Sequence, residues 1–183
     1  MDAPTEIAAS NRDYAADETL LDGRIMHIRA LHTEDREAII EGLKRLSAES
    51  IFFRFMSIRR QLSHHEISYF TELDFINHVA LVATLMVDGN ETPVGGGRFI
   101  ITQPDATVRH AEVAFTVDDP YHGLGIGTHL FHHLEKLAKQ QNVKYFDADV
   151  HEANRKMLEV FRHLGLPMTT SRDGSVLHIE LRL

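Results

Sequence analysis

The chain has 183 residues, enough for one domain with a substantial core, and its composition is ordinary for a globular protein. It contains no cysteine, which excludes a disulfide framework, thiolate metal sites and a cysteine nucleophile. Net charge is −8, of which residues 1–22 carry −5; the remaining −3 argues against a general nucleic-acid binder, which needs a basic face. Residues 1–22 are polar, acidic and aperiodic, and read as a loosely ordered tail before a single domain over 23–183. They lack the basic start and apolar stretch of a leader, so a cytoplasmic location is expected. Residues 24–30 alternate and read as the first strand. Thr33 reads as the N-cap of a helix whose buried stripe is Ile39, Leu43 and Leu46. A short helix is expected over 49–55, and Ser63 with Glu66 forms a capping box opening another. Residues 77–87 read as a buried strand, too short in its apolar run to cross a bilayer. A turn at Asp88-Gly89-Asn90-Glu91 leads to a strand over 94–102, where Gly95-Gly96-Gly97 marks a bulge or a close backbone approach. Pro104-Asp105 makes the next turn, and residues 109–117 the next strand.

That strand carries the chain's most informative stretch. Val113-Ala114-Phe115-Thr116-Val117 breaks at Asp118-Asp119-Pro120, and Tyr121-His122-Gly123-Leu124-Gly125-Ile126-Gly127-Thr128 follows. Leu130, Phe131, Leu134, Leu137 and Ala138 then give a helical stripe, so the pattern is strand, tight loop, helix. Glycine lets the backbone turn sharply and approach a ligand closely. The free N–H groups of the helix's first turn, at the positive end of its dipole, suit phosphate or pyrophosphate. No lysine follows Gly127, which excludes a P-loop, and G-x-G-x-G is not the dinucleotide fingerprint G-x-G-x-x-G. Asp147 and Asp149 do stand about 20 residues further on, as that fingerprint asks. Spacing alone also leaves open a glycine turn with no ligand.

A strand over 144–150 must run parallel to 109–117 if the intervening helix is a crossover. A helix over 154–164 ends at Gly165, and two strands, 168–171 and 176–183, flank the turn Arg172-Asp173-Gly174. The class is α+β, with a mixed, mostly antiparallel sheet containing one parallel pair. His129, His132 and His133 have metal-ligand spacings but no carboxylate partner of matching spacing, so no metal is expected.

Hairpin-connected strands, one strand–G-x-G-x-G–helix–strand unit, Asn154-Arg155-Lys156-Met157-Leu158 and Leu164-Gly165-Leu166 together resemble the GNAT superfamily of acetyl-CoA-dependent N-acetyltransferases. A narrower resemblance is to protein-lysine acetyltransferases of the Pat type. It is carried by Leu46-Ser47-Ala48-Glu49-Ser50-Ile51-Phe52-Phe53-Arg54-Phe55, by Leu62-Ser63 and by Ala111-Glu112-Val113-Ala114-Phe115. The regulatory domains that often accompany that type are not expected in a chain of this length.

The resemblance implies a three-layer GNAT-like fold whose parallel pair splays to bind acetyl-CoA as cosubstrate. It implies a pyrophosphate on the backbone N–H groups of Gly123, Gly125, Gly127 and Thr128, beside His122, Leu124 and Ile126. An exposed N–H among Phe115, Thr116 and Val117 would pair with the pantetheine arm and the thioester carbonyl. Asn154 would bond the pantetheine arm, or act as a plain N-cap. Glu112 would be the general base, desolvated between strand and cleft; the alternative is a solvated carboxylate or an ion pair with Arg109 or Lys144. The family usually has Gln or Arg at His122, and many members have a proton-donating Tyr at Phe161. Phe161 is therefore expected to pack near the CoA thiol, with Tyr121 or water as donor. The expected acceptor is an amine, first a protein lysine side chain. The alternatives are a small-molecule amine acetyltransferase and a non-catalytic acyl-CoA-binding regulatory module. No nucleic acid or membrane partner is expected, and the protein is expected to be a monomer or homodimer.

Overall fold

The computed structural model describes residues 4–57, 62–104 and 106–183. Along the chain come α1 (Pro4–Arg12), β1 (Ala15–Thr19), β2 (Ile25–Ala30), α2 (Arg36–Arg45), α3 (Ala48–Phe55) and α4 (His64–Thr71). Then follow β3 (His78–Val87), β4 (Asn90–Ile101), β5 (Arg109–Val117), α5 (Ile126–Gln140), β6 (Val143–His151), α6 (Arg155–His163), β7 (Met168–Asp173) and β8 (Val176–Arg182). Among the described residues the strands form one sheet in the order β1-β2-β3-β4-β5-β6-β8-β7. Every pair is antiparallel except β5 with β6, so the α+β class with one parallel crossover pair is what the chain adopts.

Local chemistry explains the elements that place the site. Asp88 and Gly89 both take positive φ, 49° and 79°, the two-residue turn geometry that matches the twist of the β3–β4 hairpin. Helix α5 buries Ile126, Leu130, Phe131, Leu134, Leu137 and Ala138 against one face of the sheet. Each large side chain among these is worth roughly 1.5–3 kcal/mol when fully buried. Gly97 makes that approach possible, because a Cβ there would lie 2.6 Å from the Phe115 ring and 3.0 Å from Leu134. Helices α2 to α4 cover the other face, where Leu31, Ala80 and Val82 pack with Ile39 and Leu73. Strand β3 lies between these layers and is buried along most of its length.

Two local expectations are corrected. Where a loosely ordered tail was expected, α1 forms and β1 pairs with β2 from Ala15↔Arg29 to Thr19↔Ile25. Ala15-Ala-Asp-Glu-Thr19 has little strand propensity of its own; distant partners order it. The Asn11 amide donates to Phe75 O at 2.8 Å, Leu20 is 3% exposed, and Glu18 pairs with His133 at 2.9 Å and His129 at 3.2 Å. Thr33 is not an N-cap. It opens a single 3-10 turn, Thr33–Asp35, whose Asp35 carboxylate accepts from His32 N and from both Arg29 Nη atoms. Residues 1–3 and Asp105 of the expected Pro104-Asp105 turn lie outside the described residues.

Candidate active site

The loop between β5 and α5 is built to present backbone donors. Strand β5 is followed by Asp118, a buried carboxylate gripped by Arg45 Nε at 3.0 Å and Nη2 at 2.8 Å. Burial pushes the Asp118 carboxyl up, against the pull of Arg45. A 3-10 turn, Asp119–Tyr121, follows, and then Gly123 at φ 78° and Gly125 at φ 90° turn the chain into α5. A Cβ at Gly125 would meet His129 at an ordinary 3.7 Å, so the dihedral and not space calls for glycine. Among the described residues, no acceptor takes the N–H groups of Gly123, Leu124, Gly125, Ile126, Gly127 or Thr128. The first turn of α5 carries no acidic side chain. Unpaired donors and the positive dipole end thus meet at one place, the arrangement that takes phosphate.

The loop residues divide by the way they can act. Ile126 is 1% exposed and Leu124 packs on the core, so both offer backbone only. Gly127 faces α6, where a Cβ would lie 3.7 Å from Val160. His122 donates from Nε2 to Val117 O at 2.8 Å, and its Nδ1 accepts from Lys156 Nζ at 2.8 Å. Lysine only donates, so this imidazole is neutral with its proton on Nε2. Lys156, on α6, therefore brings a cation to the loop beside a histidine that is itself uncharged. Nothing in spacing links Lys156 to a residue 34 positions earlier, so the sequence carries no sign of this pairing.

Beside the loop the sheet opens. Parallel pairing of β5 and β6 begins at Arg109↔Val143 and stops at Glu112↔Asp147, while β5 runs on to Val117 and β6 to His151. Phe115, Thr116 and Val117 pair with β4 on one side only, leaving their other edge on the opening. The Phe115 ring is 5% exposed and turns to Phe131 and Phe161, so its backbone alone faces the cleft. Phe161 is 2% exposed and closes this aromatic group as core, beneath the opening and not as one of its polar walls. Asn154 caps α6 by accepting from Met157 N at 3.2 Å. Helix α3 spans the mouth. Its N-cap Ser47 and its Ser50 bond Asp119 just beyond β5, while Phe52 and Phe53 reach His151 at the end of β6 with ring centroids at 5.3 and 5.9 Å. Burial would raise the Asp119 carboxyl, but those hydrogen bonds outweigh it and hold the group below its usual range.

Glu112 sits at the last paired position of the parallel ladder, on the face opposite Ala111, Val113 and Phe115. It is exposed, so the desolvation expected between strand and cleft is absent. Arg109 donates to Gln141 O at 3.0 Å instead of pairing with Glu112. Next to Glu112, His110 bonds Asp147 at 3.0 Å and stacks on Tyr145, with Glu180 close by. Tyr121 lies under the Arg24 guanidinium at 5.5 Å, at the β1–β2 turn. Of the helix histidines, His129 and His133 converge on Glu18, and His132 pairs with Glu135.

Comparison with known proteins decides the family. The acetyltransferase (GNAT) family model matches residues 47–166. The chain belongs to the GNAT acetyltransferase family. Its activity is accordingly that of an acetyl-CoA-dependent N-acetyltransferase. Acetyltransferase PA5475 of Pseudomonas aeruginosa is 31% identical over 158 residues, 86% of this chain and 83% of that protein. Acetyltransferase Pat of Mycolicibacterium smegmatis is 33% identical over 144 residues, which are 78% of this chain but only 41% of that protein. The GNAT domain of S. lividans PAT superposes with a TM-score of 0.83 at 30% identity, covering 92% of this chain and 97% of that one. The Pat-type resemblance of this GNAT chain is thus seen in sequence and in structure.

Proposed function

We propose that this chain moves the acetyl group of acetyl-CoA to the side-chain amine of a protein lysine, with Glu112 as general base. The observation that carries the cosubstrate site is the run of unpaired N–H groups from Gly123 to Thr128 at the start of α5, beside the β5–β6 opening. Those donors take the pyrophosphate, and Lys156 adds the charge that neutral His122 does not. The free edge of Phe115 to Val117 holds the pantetheine arm and, through a backbone N–H, polarises the thioester carbonyl. The amide of Asn154, whose Oδ1 serves the α6 cap, offers its Nδ2 to the same arm.

The acceptor arrives on the face where Glu112 is exposed. An ammonium has no lone pair, so Glu112 first removes a proton; the freed amine bonds the carbonyl carbon, the nitrogen loses its second proton to solvent, and the carbon–sulfur bond breaks to release the thiolate. A base so placed is worth roughly 10²–10⁴ in rate. Phe161 has no proton to give the leaving thiolate, so Tyr121 or water supplies that proton. A lysine acceptor is supported by the likeness to proteins named Pat. The test is acetyl transfer from acetyl-CoA to lysine peptides and lysine-containing proteins, alongside a panel of small amines. Turnover on lysine substrates supports the reading, and turnover on small amines alone overturns the lysine assignment.

A further inference from the structure

A second cavity, of about 140 Å³, lies between helices α2 to α4 and the face of β3, β4 and β5 that carries Glu112. Its walls are mostly apolar, including Ile39, Leu43, Leu62, Val82 and Ala114. Three cations line the cavity: Arg45, paired with Asp118, which lines it too, and Arg54 from α3 and Arg98 from β4, which have no such partner. The guanidinium carbons of Arg54 and Arg98 lie over the same Phe70 ring, at 5.8 and 4.3 Å. Arg98 also lies over Tyr69 at 5.4 Å, and Arg54 over Phe55 at 5.1 Å.

What Arg54 and Arg98 lack is an anion. Arg24, Arg29, Arg45 and Arg172 each hold a carboxylate. Neither Arg54 nor Arg98 has a hydrogen bond or ion pair to any described residue, and Arg98 Nη1 is buried without a partner. Burial and the neighbouring Arg98 push the Arg54 guanidinium down to about 9, and burial lowers Arg98 as well, though arginine keeps its proton at neutral pH. The charge of Glu112 reaches both, yet Glu112 is exposed and pairs with neither. Aromatic faces offset part of the cost of two nearby cations, but each guanidinium has five donors and its geometry suits a carboxylate. Arg98 stands directly opposite Ala114 in the β4–β5 ladder, and the small side chain of Ala114 lines the same cavity.

We infer that this cavity is a carboxylate site, in which Arg54 and Arg98 hold the carboxylate of a substrate that reacts beside Glu112. The inference rests on the acyl-transfer reading for its substrate, and not for its binding chemistry. The carboxylate has two sources: the far end of a dicarboxylic acyl group carried on CoA, or the acceptor amine itself.

Two substrate pairs separate the sources: succinyl-CoA against acetyl-CoA on one lysine peptide, and Nα-acetyllysine against its amide with acetyl-CoA. In one pair the carboxylate-bearing member should lead in kcat/KM by roughly 10–100-fold, the worth of charge-assisted hydrogen bonds. A lead in the first pair assigns the acyl chain, and a lead in the second assigns the acceptor. Arg98→Gln should bring the leading ratio near one, and Arg98→Lys should retain part of it. If Arg98→Gln does not fold, Arg54→Gln is read in its place. Ratios near one in both pairs of the unaltered protein, or a lead that survives both glutamine variants, overturn the site. If no amine is acylated, the transfer reading falls and calorimetry with succinate and Nα-acetyllysine decides the site alone. Binding that is lost in the glutamine variant supports it, and no binding of either ligand overturns it.

Discussion

Gly127→Ala separates what the fold needs from what the ligand needs. Gly127 lies in the first turn of α5 with helical backbone, and a Cβ there would touch Val160 at an ordinary 3.7 Å. The fold therefore gives no reason for glycine. Alanine is the better helix former by about 0.8–1 kcal/mol in a helix interior, and it narrows the unfolded ensemble. We expect a net gain of about 0.5–1 kcal/mol near the helix end, which for a chain of this size raises Tm by roughly 1–4 °C. Binding should move the other way. The new methyl stands on the turn that carries the unpaired N–H groups, and displacing one charge-assisted hydrogen bond costs affinity by roughly tenfold or more. Thermal unfolding without ligand and calorimetry with acetyl-CoA read the two effects on one sample. A lower Tm would refute the packing argument, and unchanged affinity would refute the assignment of this turn to the pyrophosphate. Gly125→Ala cannot make the distinction. At φ 90° it carries a strain of about 1–2 kcal/mol in the fold as well.

Gly97→Ala should destabilise by about 1–3 kcal/mol, because its Cβ would stand 2.6 Å from a Phe115 ring already packed on Phe131 and Phe161; a denaturant midpoint equal to the unaltered protein's would contradict this. Asn154→Ala should cost about 1 kcal/mol of stability as a lost cap and, beyond that, weaken acetyl-CoA binding; a lower Tm with unchanged affinity would leave Asn154 as a cap only. Burial, with the charge of Arg98, pushes His78 down to about 4 from 6.5. The unfolded chain therefore binds the extra proton between those values, and stability should fall as pH drops from 6.5 to 4. His78→Phe should flatten stability over that window, and an unchanged slope would show that other groups set it.

Much of the fold was legible because it is written in local patterns. The alternation in 24–30, the capping box at Ser63 and Glu66, and the apolar stripe from Leu130 to Ala138 each matched the element that formed. The glycine loop was legible for the same reason, since its dihedrals are a local demand. What was not legible depends on distant partners. Strand β1 forms because β2 offers an edge and Glu18 meets two histidines of α5. The turn after Ala30 follows from Arg29 gripping Asp35 instead of from the cap chemistry of Thr33. Arg54 and Arg98 lie 44 positions apart and meet over Phe70, which no periodicity announces. Lys156 meets His122 only through the packing of α6 against the start of α5, 34 positions away in the chain.

The most direct test of the account is the steady-state rate of Glu112→Gln across pH. Glu112 is exposed at the end of the parallel ladder, so the near-isosteric amide should leave the fold and acetyl-CoA affinity unchanged. The account predicts that kcat/KM falls by roughly 10²–10⁴ and that the acidic limb of the pH–rate profile disappears. Turnover equal to that of the unaltered protein, with the limb intact, would contradict it and remove Glu112 as the base.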